Sequence, residues 1–356
     1  MNARVQNKND PWLHRFAVLT AIITFFLLGL GGLVTSHEAG MSVPDWPTSY
    51  GYNMFALPIK FWKGGAFFEH THRLLASGAG FLTTILAVWL WLKDPRKWMR
   101  WLGVTAFLLV VAQGVLGGLR VTLKMNDLGV IHGVVAQSFF ILMCAIALFT
   151  SRFWVNWSAG EKVFCVTRGL WTLVLAVTVL IFCQLMLGAT MRGQHAGLAI
   201  PDFPAAYGKI WPATSPDAIA HYNAQRMDVN GENPITAFQI VLQMAHRIVA
   251  LTIFILVAAG AGLSWRQLGG KNPLARLAVF WLVLIVCQIA LGAWTIWSNK
   301  AADVATLHVM VGALSLVTGA LWCIIAFGRR EGATKIAPAT TISGAFGVSP
   351  SMVANK

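Results

Sequence analysis

Eight long apolar runs constrain this chain more than any other feature of its sequence. Each holds about 20 predominantly apolar residues, which is the length that a helix needs to cross a bilayer. The runs lie near residues 14–36, 67–92, 101–122, 129–150, 169–191, 237–263, 277–298 and 303–327. Runs of this length predict an all-α integral membrane protein with eight transmembrane helices. Only 11% of the 356 residues are charged, whereas a soluble domain carries about 25%.

Basic residues are distributed unevenly along the connections between these runs. Most of the 27 Lys and Arg residues lie in the N-terminal tail, in the connections after the second, fourth and sixth runs, and after the eighth. The positive-inside rule therefore predicts a multi-pass protein with both termini in the cytoplasm, and we expect it in the inner (plasma) membrane. It also explains the net charge of +14 without a nucleic-acid partner. The two longest connections, about 37–66 and 192–236, then face outward.

The second half of the chain repeats short motifs of the first half in the same order. VPDWPTSYG at 43–51 matches IPDFPAAYG at 200–208, and a Gln-x-x-Leu-Gly pattern begins at Gln113, Gln184 and Gln288. This order predicts a tandem duplication of a four-helix bundle, with the two copies parallel about an axis near the membrane normal. We expect an N-terminal half over residues 1–160, a C-terminal half over 161–330, and a disordered cytoplasmic tail over 331–356.

Each half places one histidine near the outer end of its second helix and one near the outer end of its fourth. The pairs are His72 with His132, and His246 with His308. Two imidazoles at one depth can hold one iron between them, and a flat macrocycle fits between the helices of a bundle. A lone intramembrane histidine is more often a satisfied polar residue, but the duplication favours four axial ligands of haem iron. Zinc is disfavoured because neither half repeats a third Cys or carboxylate ligand. Arg73 and Arg247, which follow two of these histidines, can pair with haem propionates.

One carboxylate distinguishes the two halves. Glu69 lies three residues before His72, so the two share a face of the helix. The second half has Gln243 at the corresponding position. Glu69 can act as a general acid or base at the N-terminal site, or it can only orient a histidine ring by a hydrogen bond. The neighbouring His70 is predicted to point away from His72, and its role is unassigned.

The motifs together resemble the haem A synthase family over residues 14–327. The resemblance is carried by Glu69-x-x-His72-Arg73, by His246-Arg247 and by the single histidines His132 and His308. It implies oxidation of the C8 methyl group of haem O to a formyl group by successive hydroxylations, which gives haem A for terminal oxidases. It also implies that His246 and His308 hold a haem b cofactor that relays electrons. The substrate site for haem O is then formed by His72, His132 and the catalytic Glu69.

The resemblance also bears on partners and on one departure from the family. It implies that haem O, haem A and the bilayer are partners, with haem O synthase and cytochrome oxidase assembly factors as candidate protein partners. The electron donor is unidentified. Many bacterial members carry a cysteine pair in the first outer loop, but residues 37–66 contain no cysteine. A disulfide-dependent role for this loop is therefore not expected.

Two alternative functions remain open at this point. A dihaem b-type cytochrome for quinol-linked electron transfer would use both histidine pairs and would not need Glu69. A haem carrier without chemistry would also be compatible with two mirrored histidine pairs. The difference between Glu69 and Gln243 weighs against a haem carrier, whereas haem O or haem A in the pigment of the purified protein would distinguish the enzyme from a dihaem cytochrome.

Overall fold

The computed structural model describes residues 10–159, 166–225 and 234–334, and the regular secondary-structure elements among these residues are all helices. In chain order the helices are α1 (Pro11–Ser36), α2 (Gly65–Lys93), α3 (Lys97–Thr122), α4 (Asn126–Phe149), α5 (Arg152–Ala159), α6 (Arg168–Gly193), α7 (Pro216–Gln225), α8 (Ala237–Leu268), α9 (Pro273–Trp297) and α10 (Ala302–Thr334). Eight of them, all except α5 and α7, are long and apolar enough to cross a membrane. The predicted all-α membrane fold is therefore confirmed.

The helices extend beyond the apolar runs because local capping, rather than hydropathy, determines where they end. The apolar run that starts near residue 277 lies within α9, which begins at Pro273, where the Asn272 side chain caps the first turn. Likewise α8 continues past residue 263 to Gly269, whose φ of 79° ends the helix. The short helices α5 and α7 were not predicted at all. Residues 335–356 of the predicted tail lie outside the described residues.

The spanning helices form two four-helix rings. In the first, α1 packs on α2 and α4, and α3 packs between α2 and α4. In the second, α8 packs on α6 and α9, and α10 closes the ring against both. The first ring has a core that includes Leu86, Leu90 and Met143, and the second has one that includes Trp281 and Trp322. This packing agrees with two tandem bundles.

The rings meet along α1, α4, α6 and α10. A small apolar cluster of Phe140, Ala313 and Val317 is buried between α4 and α10. Arg192 of α6 also reaches the end of α1, where it donates to the Gly32 carbonyl (3.0 Å) and to the Ser36 hydroxyl (2.7 Å). The halves are thus joined by both apolar and polar contacts.

The two outer loops with the repeated motif adopt the same conformation. In each, one aspartate carboxylate accepts two backbone N–H groups, and one tyrosine hydroxyl donates to a carbonyl eight residues earlier. Each also contains a cis X-Pro peptide bond. The groups are Asp45, Tyr50, Gly51 and Ser42 in the first loop, and Asp202, Tyr207, Gly208 and Ala199 in the second. The sequence repeat is therefore a structural repeat down to single hydrogen bonds.

Candidate functional site

The C-terminal histidine pair faces across the interior of its bundle. His246 on α8 and His308 on α10 have ring centroids 6.5 Å apart, with their planes at 54°. Metal–imidazole bonds of about 2 Å on each side of one ion would put the two centroids about 6 Å apart. The spacing therefore fits one iron held between the rings. No cluster of three or more His, Cys, Asp or Glu residues forms a metal site in the described part of the chain.

All four histidines of the two pairs pack against a glycine of a neighbouring helix. In each case the Cε1 atom lies 3.2–3.4 Å from the point where a glycine Cβ would stand. The pairs are Gly31 with His72, Gly117 with His132, Gly188 with His246, and Gly292 with His308. Each Nδ1 atom is buried and has no hydrogen-bond partner among the described residues. The packing thus buries the Nδ1–Cε1 edge and leaves Nε2 as the nitrogen that can bind iron.

The Gln-x-x-Leu-Gly pattern supplies a second contact to these histidines. Its glutamine donates to the carbonyl of His132 (3.1 Å, from Gln113) and of His246 (2.9 Å, from Gln184). The Gln288 side-chain nitrogen instead lies 3.4 Å from Nε2 of His308. A fourth copy precedes Gly31, where Leu27 replaces the glutamine. That copy does not match the Gln-x-x-Leu-Gly pattern, because the pattern requires the glutamine.

Glu69 is buried at the head of α2 and holds the first outer loop. One carboxylate oxygen accepts the Val43 N–H (2.9 Å), and the other accepts Arg73 Nη2 (2.6 Å). In the second half, Gln243 accepts the Ile200 N–H at 2.7 Å in the same way. Within the described residues, Glu69 makes no hydrogen bond to a histidine. This contact therefore differs from both predicted roles of the carboxylate, and general acid–base catalysis stays a prediction.

The two predicted propionate-binding arginines are engaged with the loop backbones. Arg73 donates to the carbonyls of Asp45 (2.6 Å), Thr48 (3.2 Å) and Val43 (3.0 Å). Arg247 donates in the same manner to the carbonyls of Asp202 (2.7 Å) and Ala205 (2.8 Å). Propionate binding by these arginines stays a prediction, since loop carbonyls occupy the donors that it requires.

Comparison with known proteins agrees with this arrangement. Residues 14–320 match the model of the COX15-CtaA family, cytochrome oxidase assembly protein. The chain belongs to this family. It is 26% identical to the heme A synthase of Rhizorhabdus wittichii over 87% of this chain and 92% of the relative. Its identity to the heme A synthase of Halalkalibacterium halodurans is 23% over 85% of this chain and 93% of the relative. It is 24% identical to the heme A synthase of Lysinibacillus sphaericus over 91% of this chain and 97% of the relative.

The structure of this COX15-CtaA protein also reveals an arginine that the sequence did not single out. Arg120, in the last turn of α3, lies close enough to His72, His132 and Glu69 for its charge to act on all three. It stands three residues after the glycine of a Gln-x-x-Leu-Gly pattern, where the second half has Thr295. That difference between the repeats is the signal that could have identified it.

The histidine without an assigned role, His70, is fully buried in this COX15-CtaA protein. Its ring meets the Trp62 ring edge to face, with centroids 4.7 Å apart. Neither ring nitrogen has a hydrogen-bond partner among the described residues. His70 therefore belongs to the contact between α2 and the first outer loop rather than to the His72 pair.

Proposed function

We propose that this chain is a haem A synthase, which oxidises the C8 methyl group of haem O to a formyl group and so provides haem A for cytochrome oxidase. The observation that carries the proposal is a histidine pair in each half combined with a carboxylate in only one of them. Family membership supports it, as do the curated relatives that bear the name heme A synthase. The enzyme is accordingly an oxidoreductase.

The C-terminal pair is proposed to hold the cofactor. His246 and His308 would ligate a haem b through Nε2, as their 6.5 Å centroid spacing and their buried Nδ1 edges support. When bound there, haem b supplies a one-electron relay between a donor and the N-terminal site. The glycines of α6 and α9 fix the ring orientations, since a methyl group at either position would contact the imidazole.

The N-terminal half is proposed to bind the substrate and carry out the reaction. His72 and His132 would ligate the iron of haem O. Each oxygen of the Glu69 carboxylate accepts one hydrogen bond from the protein, so each keeps a lone pair through which Glu69 can act as a general acid or base during the reaction. The Val43 amide couples that carboxylate to the first outer loop, which keeps it at the head of α2.

The alternatives are a dihaem b-type cytochrome and a haem carrier. Both would use the two histidine pairs, but neither calls for a carboxylate in one half alone. The names of the relatives do not favour them either. We further propose that the protein lies in the plasma membrane with both termini cytoplasmic, and that haem O synthase and oxidase assembly factors are its protein partners.

Glu69→Gln tests the proposed reaction with little structural change. Gln243 already ties the corresponding loop in the second half, so a glutamine at position 69 can keep the Val43 contact. We expect retention of haem b but a fall in haem A formation of at least about 100-fold, because general acid–base catalysis contributes about 10²–10⁴-fold. The measurement is chromatography of haems extracted from cells that make haem O.

The matched control for this experiment is Glu38→Gln. It removes a carboxylate from the same outer side of the protein at an exposed position, and we expect normal haem A formation. A normal haem A yield in Glu69→Gln would contradict the catalytic role of Glu69.

A further inference from the structure

One guanidinium beside the N-terminal histidine pair lacks a protein partner. Among the described residues, none accepts a hydrogen bond from the Arg120 side chain or forms an ion pair with it, and its Nε atom is buried. By contrast, Arg73 makes four hydrogen bonds and Arg192 makes two. Burying a charged donor without an acceptor is costly. Arg120 is therefore suited to an anion that comes from outside the chain.

Two glycines form the space that this guanidinium occupies. A Cβ at Gly40 would stand 2.5 Å from Arg120 Nη2, and one at Gly129 would stand 2.9 Å from Nε. Gly129 precedes His132 by three residues, so both lie on one face of α4 and are about one turn apart. Glu69 precedes His72 on α2 by the same interval. Arg120 and Glu69 therefore both lie about one helical turn outward from the histidines.

In the second half, the side chain of a different basic residue contacts the equivalent glycine. Gly197 corresponds to Gly40, and the Cδ atom of Lys300 lies 3.9 Å from the point where a Cβ of Gly197 would stand. Lys300 belongs to the connection between α9 and α10, whereas Arg120 belongs to α3. The two halves thus place a basic side chain at the same glycine from different sequence positions, as expected if both sites receive an anion there.

We propose that Arg120 binds a propionate carboxylate of the porphyrin substrate. A guanidinium presents paired N–H donors that match the two oxygens of a carboxylate. The proposal rests on the proposed function, because it takes the N-terminal half as the substrate site. In haem O the C8 methyl group and one propionate share a pyrrole ring. Binding that propionate at Arg120 would therefore also fix the position of the methyl group on the same pyrrole ring.

Titration of the full-length protein, with haem b in place, tests this proposal. The probes are haem O and its propionate dimethyl ester, and binding is followed by difference absorbance. We expect the wild type to bind haem O about 10- to 100-fold more tightly than the diester, because one charge-assisted interaction is lost. Arg120→Gln should weaken haem O binding by that factor, leave diester binding unchanged and so remove the preference for haem O over the diester. Arg120→Lys should retain part of this preference.

Lys124→Gln is the matched control, since it removes an exposed cation four residues later, and we expect wild-type binding. The haem b spectrum reports that each variant is folded. A wild type without the preference, an Arg120→Gln protein that keeps it, or an equal loss for both probes would overturn the proposal.

The failure of this proposal can be distinguished from the failure of the proposed function. If Arg120→Gln removes the preference but the wild type forms no haem A, the carboxylate site stands and the proposed function fails. If the wild type forms haem A but Arg120→Gln keeps the preference, the proposed function stands and the carboxylate site at Arg120 fails.

Discussion

At the scale of single residues, each of the four paired histidines is positioned by a glycine, which has no side chain, on the neighbouring helix. A glycine leaves room for the Cε1 edge of each imidazole, and this contact occurs four times. The absent side chain thereby sets both the depth of the ring and the nitrogen that it presents. Such a contact depends on helix rotation, so it could not be predicted from Gln-x-x-Leu-Gly in one sequence.

Gly292→Ala should disturb the C-terminal pair selectively. The new methyl group would stand 3.2 Å from Cε1 of His308, and overpacking of this kind costs about 1–3 kcal/mol. We expect about 10-fold or greater loss of haem b affinity and a changed low-spin spectrum, measured by absorbance on the purified protein. Gly31→Ala should leave the haem b spectrum intact, because it acts on His72.

Gly262→Ala is the control for this prediction, since no heavy atom lies within 4 Å of its added Cβ. An unchanged haem b affinity in Gly292→Ala would show that the glycine does not position His308.

The duplicated motifs predict which residues occupy equivalent positions in the two halves, but they do not predict which atoms those residues contact. The order of motifs predicts which histidines pair, and the structure brings His246 and His308 to 6.5 Å. An arginine at a helix head has the same sequence signature whether it faces a propionate or a carbonyl. The loop contacts of Arg73 and the unpartnered side chain of Arg120 therefore required coordinates.

At the scale of elements, the outer loops are held by their aspartates. Burial tends to raise the pKa of the Asp45 carboxyl, but hydrogen bonds from the Thr48 hydroxyl and from the Gly51 and Tyr50 amides outweigh it, so the pKa lies below its ordinary value of 3.8. A lowered folded-state pKa means that the ionised carboxylate stabilises the loop fully above pH 3.8. That stability is lost as the pH falls through the lowered value.

Asp45→Asn should loosen the first loop at neutral pH. Hydrogen bonds to a charged acceptor contribute about 1.5–3 kcal/mol, so we expect about 10-fold or faster hydrogen exchange at the Tyr50 and Gly51 amides. The second loop, held by Asp202, is an internal control and should exchange at the wild-type rate. Unaltered exchange in the first loop would contradict the assigned role of Asp45.

Element type was predictable from hydropathy, and element ends were not. All eight spans lie where the apolar runs predict them. Hydropathy does not register Asn272 or Gly269, whose cap and backbone conformation determine where α9 begins and α8 ends. Hydropathy does not predict α5 and α7 either, because they are short and are not continuous apolar runs.

At the scale of the whole molecule, the proposed function assigns one reaction to both bundles, with the cofactor and the substrate in separate halves. Their common orientation follows from the even number of spans in each half. We expect a fluorescent protein fused to the C-terminus to fluoresce and a periplasmic phosphatase reporter fused there to be inactive, because the distribution of basic residues predicts a cytoplasmic C-terminus. An active phosphatase fusion would contradict this prediction, because it would place the C-terminus on the outer side of the membrane.

The haem content of the protein purified from cells that make haem O tests the central claim most directly. We expect haem b together with haem O or haem A in the wild type, and haem b with haem O but no haem A in Glu69→Gln. Two equivalents of haem b, with neither haem O nor haem A, would contradict it and identify a dihaem cytochrome instead.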